Sequence, residues 1–263
     1  MVLSILFVMV LLAIGVIAEA QQPKKVPRIG YLGNTASGQA GALGMETFRE
    51  RLRELGYIEG QNITIEPRYW EGKVERLPDL AAELVRLNCD VILTTGTEAA
   101  QTAKNVIKTI PVVMAFGSDA VRRGITEAQI GRDRDSTRPR RFRERLSNRK
   151  QKQLGAIMMS AGTRFFAERK RIVELAGKYG LPAIYLQKEF VDEGGLMFYG
   201  ADYTDLYRRA AVYVDKILKG AKPADLPVQQ ATKFEFVINL KAAKQIGLTI
   251  PVRVLGRVNR VIK

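Results

Sequence analysis

The 263-residue chain contains no histidine. That removes the commonest general base and the commonest metal ligand at neutral pH. It has a single cysteine, Cys89, in the sequence LNCD. A lone cysteine forms no intramolecular disulfide, and a thiolate without a histidine to activate it is a poor nucleophile. Cys89 therefore reads as a buried structural side chain. No Walker A pattern and no GxGxxG occur, so a nucleotide site has little support. No GxSxG nucleophile elbow occurs either. These absences argue against an enzyme, and no metal or cofactor is expected. Acidic residues are also scarce, 27 against 42 Lys and Arg, for a formal net charge of +15. A surplus of that size ordinarily points to a polyanion or an acidic surface as partner. What is present is enough apolar material, 46% of the residues, to bury the core of one large or two modest domains.

The positive charge is not evenly spread. Residues 121–152 hold twelve Lys or Arg against four Asp or Glu, a net of +8. This stretch has neither helical nor strand periodicity and few apolar residues. As a nucleic-acid-binding arm it lacks aromatic interleaving beyond Phe142, and a disordered linker is the plainer alternative. At the other extreme, residues 2–18 are almost wholly apolar and run into Ala18-Glu19-Ala20, a small-x-small cleavage pattern. Residues 1–20 thus read as a secretory signal peptide, although no Lys or Arg follows Met1. The competing reading is an uncleaved membrane anchor, for which the run is a little short of the roughly 20 residues a span needs. Export would place the protein in the periplasm or outside the cell, away from nucleic acid.

From Arg28 to Gly117 apolar strands alternate with amphipathic helices. Arg28–Gly33, Ile63–Trp70, Asp90–Gly96 and Pro111–Gly117 read as strands. Met45, Phe48, Leu52 and Leu55 mark one helix, Leu77 to Val85 a second, and a third begins at Thr97 as its cap. Such alternation implies right-handed crossovers and a mostly parallel sheet. Ligands in these sheets bind outside the carboxyl ends of the strands. Three strand ends carry small polar residues: Asn34-Thr35, Thr95-Gly96-Thr97 and Ser118-Asp119. Each alone is ordinary loop or cap chemistry. As a set at corresponding strand ends they read as a ligand site, with free N–H groups at the helix start by Thr97 suited to a carboxylate.

The second half opens with a strand at Ala156–Ser160, a helix from Phe165 to Lys178, and a strand at Pro182–Leu186. A loop, Gln187 to Val191, leads to the strand LMFYG. Asp202 then stands as an N-cap with Asp205 three residues on. Tyr203, Leu206, Tyr207, Ala210, Tyr213, Val214, Ile217 and Leu218 share one helical face, and Gly220 closes the helix. The segments LPAIY (181–185), EFVDEGGLMFYG (189–200), DLYRRAAVYVDKILKGAKPADLPV (205–228) and KFEFVINLKAAKQIGLTIP (233–251) resemble the ABC-transporter substrate-binding proteins related to tryptophan- and tyrosine-binding lipoproteins. The first half resembles the N-terminal lobe of the same family.

That resemblance implies a periplasmic-binding-protein type I fold, two Rossmann-like α/β lobes with parallel sheets. It divides the chain into a signal peptide (1–20), a first lobe (21–117), the basic segment (118–154), a remnant of the second lobe (155–202), and a crossover helix with a C-terminal strand and helix returning to the first lobe (203–263). It implies a solute-binding role in an ABC importer, with an amino acid as ligand and a membrane permease as partner. It places Glu189, Phe190, Tyr199 and Gly200 at the cleft, where an aromatic ring could stack on a ligand and a carboxylate could hold an ammonium. The family has a Gly-rich crossover and further βα units where this chain has 121–154. A frameshifted or truncated copy with an incomplete second lobe is therefore a standing alternative.

Overall fold

The structure is a computed structural model that describes residues 25–35, 39–117, 155–159 and 163–263. The expected signal peptide and the basic segment lie outside the described residues. In the first lobe, β1 (Arg28–Gly33), β2 (Thr64–Tyr69), β3 (Val91–Thr95) and β4 (Val112–Phe116) pair in parallel in the order β2-β1-β3-β4. Helices α1 (Gly44–Glu54), α2 (Leu77–Arg86) and α3 (Thr97–Val106) make the crossovers that parallel pairing requires. Both faces of the sheet are covered, which is why β1 and β3 read as nearly continuous apolar runs. On one face Leu32 and Ile92 meet Leu80, Leu84, Ala99 and Ala103 of α2 and α3. On the other, Ile29, Tyr31 and Leu93 meet Met45, Phe48 and Leu52 of α1. The edge strand β2 carries Pro67, a residue that a central strand would not accommodate.

The second lobe is a five-stranded sheet ordered β5-β6-β7-β8-β9, with β5 (Ile157–Met159), β6 (Ala183–Tyr185), β7 (Met197–Ala201), β8 (Phe234–Asn239) and β9 (Arg260–Ile262). Helices α4 (Thr163–Ala167) and α5 (Arg169–Lys178) follow β5, and α6 (Glu189–Asp192) follows β6. Met159, Ala183 and Tyr185 pack with Ile172, Ala176 and Phe190 to form its core. The long helix α7 (Tyr203–Leu218) leaves β7 and docks on the first lobe, where Tyr207, Ala210, Ala211 and Val214 join the cluster around Ile29 and Phe48. Its start is set by Asp202, whose Oδ1 accepts the Asp205 N–H at 3.2 Å, and its end by Gly220 at φ +98°. Two short helices, α8 (Leu240–Gln245) and α9 (Val252–Leu255), separate β8 from β9.

The C-terminal strand and helix do not return to the first lobe. β8 pairs antiparallel with β7, β9 pairs parallel with β8, and both belong to the second sheet. The reason is the route: the chain comes back from α7 through residues 219–233 and enters the sheet at the end where β7 leaves it, so β8 runs against its neighbour. The second sheet is accordingly mixed rather than wholly parallel. The expected single helix over 165–178 is broken at Glu168 into α4 and α5, and the expected loop over 187–191 is partly helical, as α6. Gly96, not Thr97, is the cap residue of α3, and Thr97 is its first helical residue.

Candidate functional site

The carboxyl ends of the first lobe's strands open onto a cleft of about 1030 Å³ that both lobes line. Asn34 and Thr35 follow β1, Trp70 follows β2, Thr95 to Glu98 link β3 to α3, and Phe116 and Gly117 end β4; all line it. The opposing wall includes Leu186, Gln187 and Tyr199 of the second lobe, and Tyr203 and Tyr207 of α7 cross between the two. Of the residues singled out in the sequence, the structure thus gathers Asn34, Thr35, Thr95, Gly96, Thr97, Tyr199 and Gly200 around one cavity. Ser118 and Asp119 lie outside the described residues.

Two expectations need correction. Phe190 does not face the cleft: it is 1% exposed and stacks on Tyr185 at 4.6 Å inside the second lobe's core. As the second residue of α6 it points to the sheet it covers. Glu189 does not line the cavity either, being buried, although its charge reaches the cleft residue Tyr203.

The local chemistry of the first-lobe wall is that of hydrogen-bond donors. Gly96 holds φ +87°, in the left-handed region that favours glycine. That turn lets its N–H bond Phe116 O at 2.9 Å while its carbonyl accepts the Ala100 N–H at 3.2 Å, starting α3 at the cleft. The first N–H groups of a helix and the positive end of its dipole attract anionic groups. Glu98 in the first turn supplies a carboxylate to the same wall. Asn34 is tied to the chain after β2: its Oδ1 accepts the Gly72 N–H at 2.8 Å and its carbonyl accepts the Glu71 N–H at 2.6 Å.

The floor and far wall are aromatic. The hydroxyls of Tyr31 and Tyr207 lie 3.0 Å apart, joining β1 to α7. Burial pushes the Tyr31 hydroxyl above its ordinary value and Tyr207 far above it, so both stay neutral. Tyr203 is raised to about 12 by burial and by the charge of Glu189. Phe116 sits 4.6 Å from Tyr203 and 5.7 Å from Tyr207. On the second lobe Tyr199 stacks on Phe234 at 5.7 Å, and both remain nearly half exposed, at 46% and 48%. Sequence reasoning missed Tyr31, Trp70, Phe116, Tyr203 and Tyr207 as cleft residues. Trp70, Phe116 and Tyr203 stand at strand or helix ends, a signal the sequence carried, whereas Tyr31 and Tyr207 lie inside β1 and α7 and gave none.

The two visible lobe crossings run side by side. Asp202 N donates to Lys233 O at 3.0 Å, and the Asp205 carboxylate binds Arg209 at 2.7 Å and Lys233 at 2.9 Å. No group of metal-ligating residues occurs among the described residues, and no helix there is long and apolar enough to cross a membrane.

The family model described as ABC transporter substrate binding protein matches residues 35–131 and 147–262. A tyrosine-binding protein of Clostridioides difficile is 30% identical over 81 residues, which are 31% of this chain and 24% of that protein. Among solved structures, a conserved domain protein of Vibrio cholerae superposes with a TM-score of 0.75 at 21% identity, over 90% of this chain and 100% of that one. The ABC domain of Streptococcus pneumoniae in complex with L-Trp superposes with a TM-score of 0.70 at 20% identity, again over 90% and 100%. These superpositions share the two-lobed α/β fold described above.

Proposed function

The chain belongs to the ABC transporter substrate-binding protein family, and from that premise we propose that it is the solute-binding component of an importer, taking up an amino acid in the interlobe cleft and presenting it to a membrane permease. Outside the cytoplasm, the closed, loaded form would be the one the permease reads. The observation that supports this reading best is the convergence of Asn34, Thr35, Thr95, Gly96 and Thr97 with Tyr199 around one cavity bounded by two lobes. The N-terminus of α3 suits the ligand's carboxylate, Glu98 suits its ammonium, and the rings of Phe116, Tyr203 and Tyr199 suit an apolar or aromatic side chain. The tyrosine and tryptophan named with two similar proteins agree with that choice of ligand class.

Mobile lobes are a general means of trapping a ligand. Here the adjoining crossings at Ala201–Tyr203 and Lys233–Phe234 form the hinge, and closure would bring the stacked Tyr199 and Phe234 towards Phe116. Nothing in such a cycle calls for a catalytic group.

The test is a thermal melt of the protein alone and with each of the twenty L-amino acids. A ligand that binds only the folded state adds about 2.7 kcal/mol at a hundred times its dissociation constant. A melt raised by one amino-acid class is the expected result. A cooperative melt that no amino acid moves would sink the proposal.

A further inference from the structure

Trp70 is the only tryptophan of the chain. It follows β2, its backbone N–H donates to Gly33 O at 3.1 Å, and its ring packs with Leu32, Leu77 and Ala81. It is 2% exposed and lines the cleft, yet its indole Nε1–H is buried with no hydrogen-bond partner among the described residues. An indole N–H shut from water normally finds an acceptor, because leaving it unpaired forfeits its hydration. The neighbouring Asn34 spends its Oδ1 on the Gly72 N–H, which leaves its Nδ2 donors on the same wall. Across β1, the first turn of α3 adds backbone donors.

We infer that Trp70 is a specificity-determining residue: its Nε1–H donates to an acceptor oxygen of the ligand, and the cleft selects carboxylate-bearing solutes over their amine counterparts. The inference rests on the amino-acid-binding reading above. Because the N–H is buried in this structure, the wall beside it must shift as the ligand enters. The donor thus gains its partner on binding. The discrimination is built from the Trp70 donor: a ligand without the oxygen leaves it unsatisfied, and polar sites reject such analogues strongly.

Two probe pairs test this by calorimetric titration: L-tyrosine with tyramine, and L-leucine with isoamylamine. The variant carries 3-benzothienylalanine at position 70, which keeps the ring's shape and lacks the N–H. A hydrogen bond to a charged group is worth roughly tenfold in affinity or more. The variant should bind the amino acid about tenfold more weakly, bind the amine as the parent protein does, and melt no lower than the parent when empty. A purely structural role for Trp70, which the ring's shape alone fulfils, would leave the melt, the amino-acid affinity and the pairwise preference as in the parent. The parent protein gives an independent reading, since its one indole N–H resonance should move downfield with the amino acid and stay put with the amine. Equal affinity of variant and parent for the amino acid, or an unmoved resonance in a saturated complex, would overturn the inference alone. If neither of these amino acids binds the parent, the pair is made from the amino acid that raises the melt; if none of the twenty does, the amino-acid reading falls and this inference with it.

Discussion

At the scale of single residues, the chain uses its rare chemistry for structure. Cys89 is buried in the turn between α2 and β3, and its thiol is raised to about 11 by burial. At neutral pH it stays protonated, and only the thiolate is reactive. A disulfide reagent should leave the native protein unlabelled and label it once per chain after unfolding; rapid labelling of the native form would contradict the packing around Gly30 and Leu84. Asp202 illustrates the other kind of single-residue control. Replacing it with alanine removes the acceptor for the Asp205 N–H, and losing a helix cap costs about 1 kcal/mol. Urea unfolding should record that loss, and Asp202→Asn should restore most of it. Both roles were readable from sequence, the first from the absence of any partner chemistry and the second from the spacing of Asp202 and Asp205.

At the scale of elements, α7 is the piece that joins the lobes. Its tyrosines read as core residues from their helical spacing, and so they are along most of the helix. What spacing could not reveal is that the N-terminal turns of α7 also line the cleft, through Tyr203 and Tyr207. The fit between α7 and α1 is close. A methyl group added at Gly44 would lie 2.1 Å from Cε2 of Tyr207, whose ring is fully buried. Overpacking of this sort costs about 1–3 kcal/mol. Gly44→Ala should lower the melting temperature accordingly, and it should weaken ligand binding beyond its effect on stability, because Tyr207 cannot retreat without dragging the cleft floor. An unchanged affinity would show that the floor is indifferent to the helix contact. The fate of β8 was likewise beyond local pattern. Its alternation marks a strand, but which sheet it joins depends on the course of residues 219–233.

At the scale of the whole molecule, the paired lobe crossings carry a charge cluster whose contribution to stability depends on pH. Burial alone would push the Asp205 carboxyl up; the hydrogen bond from Lys233 and the charge of Arg209 outweigh it and hold it below the ordinary carboxylate value. A carboxyl depressed in the folded state stabilises above its unfolded value of about 3.9, and that contribution is lost as pH falls through the lower folded value. Asp205→Asn should therefore destabilise the protein by about 1 kcal/mol at neutral pH, the two proteins converging in urea titrations as the solution is made more acid. A difference that persists at low pH would mean the cluster acts through packing rather than charge. The same substitution should loosen the pairing of the two crossings and shift the balance between open and closed lobes, readable as a change in radius of gyration with and without ligand.

Taken by itself, the sequence determined the elements and their class. Alternation of period two and helical spacing mark strands and helices wherever one face is buried, and the order of strands and crossovers implies a parallel first sheet. It also determined half the cleft, because the carboxyl ends of parallel strands are where loops meet, and Asn34, Thr35 and Thr95 to Thr97 stand at such ends. Only the tertiary structure decided the rest. Phe190 and Tyr199 are both aromatic residues near strand or helix ends, but one is sealed in the second core and the other faces the cleft, a choice set by which side of the sheet each covers. Trp70 reads as the last residue of a strand, and that its indole N–H is buried without a partner at the cleft emerges only once β2 lies against β1. Local pattern records what each segment must bury; which residues face one another across a cleft depends on how the two lobes are joined.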